Sequence, residues 1–294
     1  MQATSLFDRI ILPVDGSLPS LVAQELAVFI AKRFSSHVLV LHVAYQENTV
    51  AQAMQSSEIS VGPAGAYISP YTRSTEVLNE VADWYLKRGG QIITEAAARF
   101  REENLHVEEK LVPRGNAAEE ILKEAETGGY SIIILGNNGE EERDPRLGSV
   151  ARNVANHSRI PVLICRNKVQ VSRILLPITS PAKDEKAIRY ADAIAARTGA
   201  RILLLHVQDP VAVKLKPEDA TAMGKHLLFE AAGKFRWTMP ERKLEQGSTA
   251  KKTVEIARKE NIDLIIMHSA SQTILDDDAD YVAHYADRPL LITK

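Results

Sequence analysis

Short apolar runs alternate with longer stretches of helical periodicity along this chain, and the alternation happens twice. In the first half the runs are Arg9–Val14, Val38–Val43, Val107–Val112, Ser131–Leu135 and Val162–Cys165. They are brief and mostly rich in branched apolar residues, which suits strands buried on both faces of a sheet. Between the first two, Leu21, Leu26, Phe29 and Ile30 recur at roughly helical spacing, which predicts a helix from about Leu18 to Phe34 capped by Ser17. Glu76 to Glu103 also reads as helix, weakened in its middle by Gly89-Gly90. Ala117 to Glu126 is another, entered from Gly115-Asn116. Asn48 to Thr75 is rich in Ser, Ala, Gly, Pro and Tyr, lacks periodicity and reads as a loop. This order of elements predicts an α/β fold with parallel strands and right-handed crossovers.

The second half repeats the first. Arg9–Ser17 (RIILPVDGS) matches Arg173–Pro181 (RILLPITSP), and Val38–Val43 matches Ile202–Val207, both at an offset of 164. Ile132–Leu135 then matches Leu264–Met267 at 132, and Pro161–Ile164 matches Pro289–Ile292 at 128. A falling offset means that the first half carries about thirty extra residues mid-domain and about four more after its fourth strand. The chain therefore reads as two copies of one unit, 1–168 and 169–294, joined near Asn167 to Ser172. The last apolar strands of the copies, Val162–Cys165 and Leu290–Thr293, could pair antiparallel across the boundary and cover two exposed edges.

Composition narrows the function classes. At 294 residues the chain can bury large cores without metals or disulfides. A formal net charge of −2 gives no electrostatic case for nucleic acid or an anionic membrane. The single cysteine, Cys165, excludes an internal disulfide and fits a reducing cytosol. No long apolar run or leader pattern occurs, so a cytoplasmic protein is expected.

The candidate chemistry gathers in one stretch, Tyr130 to Arg166. Gly136 ends a strand, Gly139 follows, and an eight-residue spacer leads to Gly148-Ser149, where a helix should start. Glycines let backbone amides approach a ligand, and a helix N-terminus adds free N–H groups and a positive dipole end, so the pattern reads as an anion site. Ser149 is expected to cap the helix or donate to a phosphate. Gly136-x-x-Gly139, the spacer and Gly148-Ser149, followed by the helix and strand SVARNVANHSRIPVLI, resemble the adenine-nucleotide loop of the universal stress protein family. The spacer is one residue shorter than usual there.

That resemblance implies two tandem Rossmann-like domains, each a five-stranded parallel sheet flanked by helices. It also implies a regulatory stress-response protein holding ATP, ADP or AMP, with Mg accompanying the phosphates. Carried over residue by residue, it places Pro13, Val14, Asp15 and Val43 against adenosine. Leu135, Gly136, Asn138 and Gly139 then fall on the ribose and phosphate loop, and Gly148, Ser149, Val150 and Ala151 on the helix start. A homodimer of tandem chains and a regulatory protein partner belong to the same expectation. Asp15 could instead cap the next helix.

Glu140, Glu141, Glu142 and Asp144 against Arg143 and Arg146 leave the spacer at −2, which works against a triphosphate and predicts little preference for ATP over ADP or AMP. The second copy is expected to be silent: Thr179 stands for Asp15, and Asp276, Asp277, Asp278 and Asp280 lie where phosphate would need amides, a run read as a solvated loop. No catalytic residue or metal-ligand spacing is evident. His42 and His206 sit at equivalent strand ends and read as structural, Ser17 and Ser180 as helix caps, and Trp84 and Trp237 as packing residues in helices. The alternatives are a slow ATP hydrolase or phosphotransferase, for which no Walker lysine or general base is present, and a ligand-independent interaction protein.

Overall fold

The structure is a computed structural model, and it describes residues 6–44, 75–137, 147–167, 169–271 and 274–294, with the side chains of 75–79 left aside. In the first half the elements are β1 (Arg9–Pro13), α1 (Leu18–Phe34), β2 (His37–Val43), α2 (Thr75–Glu102), β3 (Val107–Val112), α3 (Ala117–Thr127), β4 (Ile132–Gly136), α4 (Ser149–His157) and β5 (Val162–Cys165). The second half runs β6 (Arg173–Pro177), α5 (Glu185–Thr198), β7 (Arg201–Gln208), α6 (Pro210–Leu215), α7 (Pro217–Ala232), β8 (Glu241–Gln246), α8 (Thr249–Lys259), β9 (Leu264–His268), α9 (Asp277–Tyr285) and β10 (Leu290–Thr293). The first-half strands lie within a residue or so of their predicted bounds. The predicted loop at Asn48–Thr75 falls outside the described residues except for Thr75, which already opens α2.

All ten strands form one sheet in the order β3-β2-β1-β4-β5-β10-β9-β6-β7-β8. Every pairing is parallel except β5 with β10, which is antiparallel with Leu291 opposite Leu163. The two copies thus share one sheet through the edges that the sequence pattern left uncovered. Both joining strands are buried along their whole length, so each satisfies the other's backbone groups away from water. The alternation of side chains then splits the core in two. Ile10, Leu12, Val40 and Ile134 pack on one face with α1 and α2, and Ile11, Leu41, Ile133 and Leu135 on the other with α3 and α4.

Local signals set the helix ends. The Ser17 hydroxyl accepts from Ser20 N, and Pro19 sits in the first turn of α1, where its missing N–H costs nothing. Asn116 caps α3 through Ala118 N and Glu119 N. Gly89-Gly90 does not break α2. A Cβ at Gly89 would lie 2.6 Å from His42 Cδ2, and one at Gly224 in α7 would lie 2.7 Å from Leu244 Cδ1 and 3.1 Å from His206 Cδ2. These glycines recur because each helix crosses its sheet against the same histidine, so helix propensity yields to a close approach. Two expectations are corrected. Trp237 lies in the loop after α7 and is 75% exposed, so it packs against little. Ser180 does not cap α5, because the helix begins later, at Glu185 after Asp184.

Candidate functional site

In each half the strand order reverses between the first and fourth strands, so the loops leaving their carboxyl ends open onto one crevice. In the first half Pro13 is half-buried and Val14 is buried. Val14 N donates to Leu41 O at 2.8 Å, and its carbonyl meets His42 Nδ1 at 2.6 Å. That contact gives His42 the structural role expected of it, and His206 repeats it with Ile178 O at 2.8 Å. Val43 ends β2 half-buried on the same side. Asp15 is exposed, and its Oδ1 accepts from Ser17 N at 2.9 Å and Ser17 Oγ at 2.6 Å. Asp15 therefore holds the capping serine in an Asx turn and does not cap α1 itself. The turn needs Gly16 at φ 81°, where only glycine is unstrained. Oδ2 accepts from no described residue and remains able to take a hydroxyl pair from outside.

Across the crevice, Leu135 is buried and Gly136 closes β4. A Cβ on Gly136 would lie 2.7 Å from the carbonyl carbon of Pro19, so the glycine lets the strand end pack on the first turn of α1. Asn138 and Gly139 lie outside the described residues, as do all six charged residues of the spacer. The chain is pinned where it leaves and returns: Gly148 N donates to Asn137 O at 2.9 Å. Gly148 is the N-cap of α4, with no side-chain capping bond, so of the two roles expected of Ser149 the capping one is not taken. Ser149 is exposed, Val150 half-buried and Ala151 buried, and the first turn holds no acidic residue. Among the described residues, the first N–H groups of α4 thus meet no capping side-chain oxygen and no carboxylate of the helix's own first turn, and the helix dipole adds positive potential there.

The sequence profile described as Universal stress protein family matches residues 6–166 and again residues 170–294. The chain belongs to the universal stress protein family. Among its relatives is a universal stress protein of Bacillus subtilis, YxiE, 29% identical over 162 residues, covering 55% of this chain and all of that protein. Another, from Methanocaldococcus jannaschii, is 29% identical over 166 residues, covering 55% of this chain and 84% of its own. A universal stress protein crystal structure from Archaeoglobus fulgidus shares the fold along 99% of both chains, with a TM-score of 0.69 at 19% identity.

In this universal stress protein the second crevice is built differently. Thr179 replaces Asp15, yet a carboxylate reappears five residues on: Asp184 stands where the first half has Ser20. Asp184 is 2% exposed, and its Oδ2 accepts from Thr179 N at 2.8 Å and Ser180 N at 2.9 Å. Burial pushes its carboxyl above the usual range, against the pull of those two N–H groups and of His268. His268 occupies the position of Gly136, so a side chain stands where the first half has none, and its buried Nδ1 has no hydrogen-bond partner among the described residues. Asp276 caps α9 through Ala279 N at 2.9 Å and also accepts from Ala270 N at 2.7 Å. The protein's own carboxylate thereby holds one amide of the first turn of α9 and one of the loop before it, and places negative charge where an anion would sit. The acidic run is not the solvated loop expected: Asp278 is half-buried, and burial raises its pKa while the N–H of Ala250 lowers it.

Sequence reasoning passed over four groups at the two crevices. Asp184 and His268 are found by reading the repeat at its two offsets and asking what replaces Ser20 and Gly136. Asn137 sits between named loop residues, and Arg166, which reaches its side chain, is the position that Lys294 repeats at an offset of 128.

Proposed function

We propose that this protein is a stress-response regulator that binds one adenine nucleotide per chain, in the first half. Under this reading residues 1–168 form the nucleotide-binding domain, and 169–294 a degenerate partner domain. Asp15 Oδ2 accepts from the ribose, the backbone of Pro13, Val14 and Val43 borders the adenine, and the amides of Ser149, Val150 and Ala151 meet phosphate. The observation that carries the reading is the contrast between the two crevices: among the described residues no side chain caps α4, whereas Asp276 caps α9 through Ala279 N and also takes Ala270 N in the loop after β9. An anion gains from the first arrangement and is repelled by the second. The acidic spacer flattens the preference among ATP, ADP and AMP, with Mg offsetting its charge when a triphosphate is held. Association of two chains and a cytoplasmic setting belong to the same proposal. The second accords with the lone Cys165, buried in β5 with its thiol pKa pushed up by desolvation.

Titration calorimetry with ATP, ADP and AMP tests it. One site per chain is expected, with affinities within about tenfold of one another, a spread of ~1.4 kcal/mol. Asp15→Asn is expected to weaken all three by about tenfold, as loss of a charge-assisted acceptor does. Two sites per chain, no binding of any nucleotide, or a hundredfold preference for ATP would each contradict the corresponding part. Gel filtration at the mass of one chain would remove the dimer.

A further inference from the structure

Arg166 follows β5 and lies at the seam between the two halves, 8% exposed. Its guanidinium serves both sides. Nη2 donates to Asn137 Oδ1 at 2.9 Å, in the neck of the first-half ligand loop. Nη1 donates to Ala286 O and Nη2 also to Ala283 O, at the carboxyl end of α9 in the second half. The C-terminal carbonyls of a helix carry partial negative charge, so they suit a cation. The match is nevertheless imperfect: among the described residues the buried Nε has no hydrogen-bond partner, and burial draws the pKa down to about 10 despite Asp287 nearby. A hydrophobic residue would fill such a seam at less cost.

The pseudo-equivalent residue shows what is particular to this one. Lys294, at the end of β10, donates to Asn156 O near the carboxyl end of α4, so the seam is crossed by a cation in each direction. A lysine supplies one compact ammonium, whereas the planar fork of Arg166 reaches a helix end and a loop side chain together. The side chain it reaches belongs to the residue whose carbonyl already takes Gly148 N. Asn137 is thus the clasp between the two ends of the loop, and Arg166 is what the clasp is fastened to. Other seam contacts fix α4 against the same support: Leu275 N donates to Asn156 Oδ1 at 3.0 Å, and Arg152 Nη2 lies 3.4 Å from Asp280 Oδ1.

We infer that Arg166 is a positioning residue for the ligand loop: it holds Asn137 so that the Asn137–Gly148 bond persists, and it makes the silent half the rigid support of the binding half. Its consequence for affinity rests on the nucleotide reading above; its consequence for the loop neck does not. A movement of α9 relative to β5 would reach the loop neck through this side chain.

The test uses the full chain carrying Arg166→Met, Arg166→Lys, Asn137→Ala and the Arg166→Met/Asn137→Ala pair. In ligand-free protein, amide exchange at Gly148 is expected to quicken about tenfold in Arg166→Met, the loss of one charge-assisted hydrogen bond. Amides in β1 should follow only the global stability. In ATP titrations the dissociation constant is expected to rise by a similar factor. In the Asn137→Ala background, Arg166→Met should change neither quantity by more than about twofold, because the path it acts through is gone. A merely structural arginine would act equally in both backgrounds, and that outcome overturns the inference. Unchanged Gly148 exchange in Arg166→Met overturns it whatever the nucleotide does. Faster exchange in a protein whose parent binds no nucleotide supports the positioning role and overturns the nucleotide reading instead. Should Arg166→Met not fold, Arg166→Lys keeps the charge without the fork; wild-type exchange and affinity in that variant would also overturn the inference.

Discussion

Gly136 could be mistaken for a residue chosen for its ligand. The first atoms that a Cβ there would meet are the carbonyl carbon and oxygen of Pro19, at 2.7 and 2.8 Å, and those are backbone atoms of α1 that no rotamer change can move. Gly136→Ala is therefore expected to destabilise the protein by ~1–3 kcal/mol, the range for an overpacked contact, as read from urea unfolding. Stability equal to the parent's would mean that the helix and strand are not in the contact described. Asp15 is the cleaner probe of binding, because its exposed side chain holds only the local turn at Ser17. The opposite holds for Asp184, whose carboxyl is raised by burial above its unfolded pKa. Just above the unfolded value the native state keeps a proton that the unfolded state has released, so stability falls as pH climbs through that window, and the ionised group remains a burden above it. Asp184→Asn removes this dependence. The variant's melting temperature minus the parent's is expected to grow more positive from about pH 4 toward neutrality, and a flat difference across that range would contradict the assignment.

Among the elements, α2 offers a test in which helix propensity and packing predict opposite signs at adjacent residues. No described residue lies within 4 Å of a Cβ on Gly90, so Gly90→Ala should stabilise by ~0.5–1 kcal/mol through helix propensity and a less flexible unfolded chain. At Gly89 the added Cβ would press on His42, a buried ring anchored to Val14 O, and on Leu111. Gly89→Ala is therefore expected to destabilise by ~1–2 kcal/mol. Equal effects at the two positions, in thermal or urea unfolding, would defeat the argument. The same helix shows how far a sequence can be read. Strand runs, the cap at Ser17 and the doubled pattern all leave periodic or local traces, and the observed elements follow them closely. Gly89 looks like a flaw locally, because its reason lies in a strand nearly fifty residues away, and only the recurrence at Gly224 betrays it. At the candidate site the glycine pattern is visible in the sequence, whereas Asp15 is singled out only by the family resemblance. The cap of α4 could not be read there, since Gly148 and Ser149 are both plausible caps until the backbone is known. Arg166 and Asn137 left no pattern either, because a guanidinium fork joining residues 29 and 120 positions apart imposes no spacing.

At the scale of the whole molecule, the antiparallel joint between β5 and β10 decides how the protein unfolds. Leu163 and Leu291 face each other in strands of four residues, buried on both faces and flanked by the parallel neighbours β4 and β9. Neither half can leave the other without exposing an unpaired apolar edge, so the halves should unfold as one cooperative unit. The outer strands are unlike the centre. β3 (VEEKLV) and β8 (ERKLEQ) are charged and largely exposed, which guards the sheet's edges against further pairing and leaves them the least protected part of it. Native-state hydrogen exchange is expected to give the amides of β1, β4, β5, β10, β9 and β6 a common free energy equal to that of global unfolding, with β3 and β8 opening at lower cost. Leu291→Asp would bury a carboxylate at the joint and should lower protection in β1 and β6 together, by ~3 kcal/mol or more, because each half carries the damage of the other. Loss confined to the second half, with β1 still at its original protection, would show that the ten strands are two sheets in contact, each with a stability of its own.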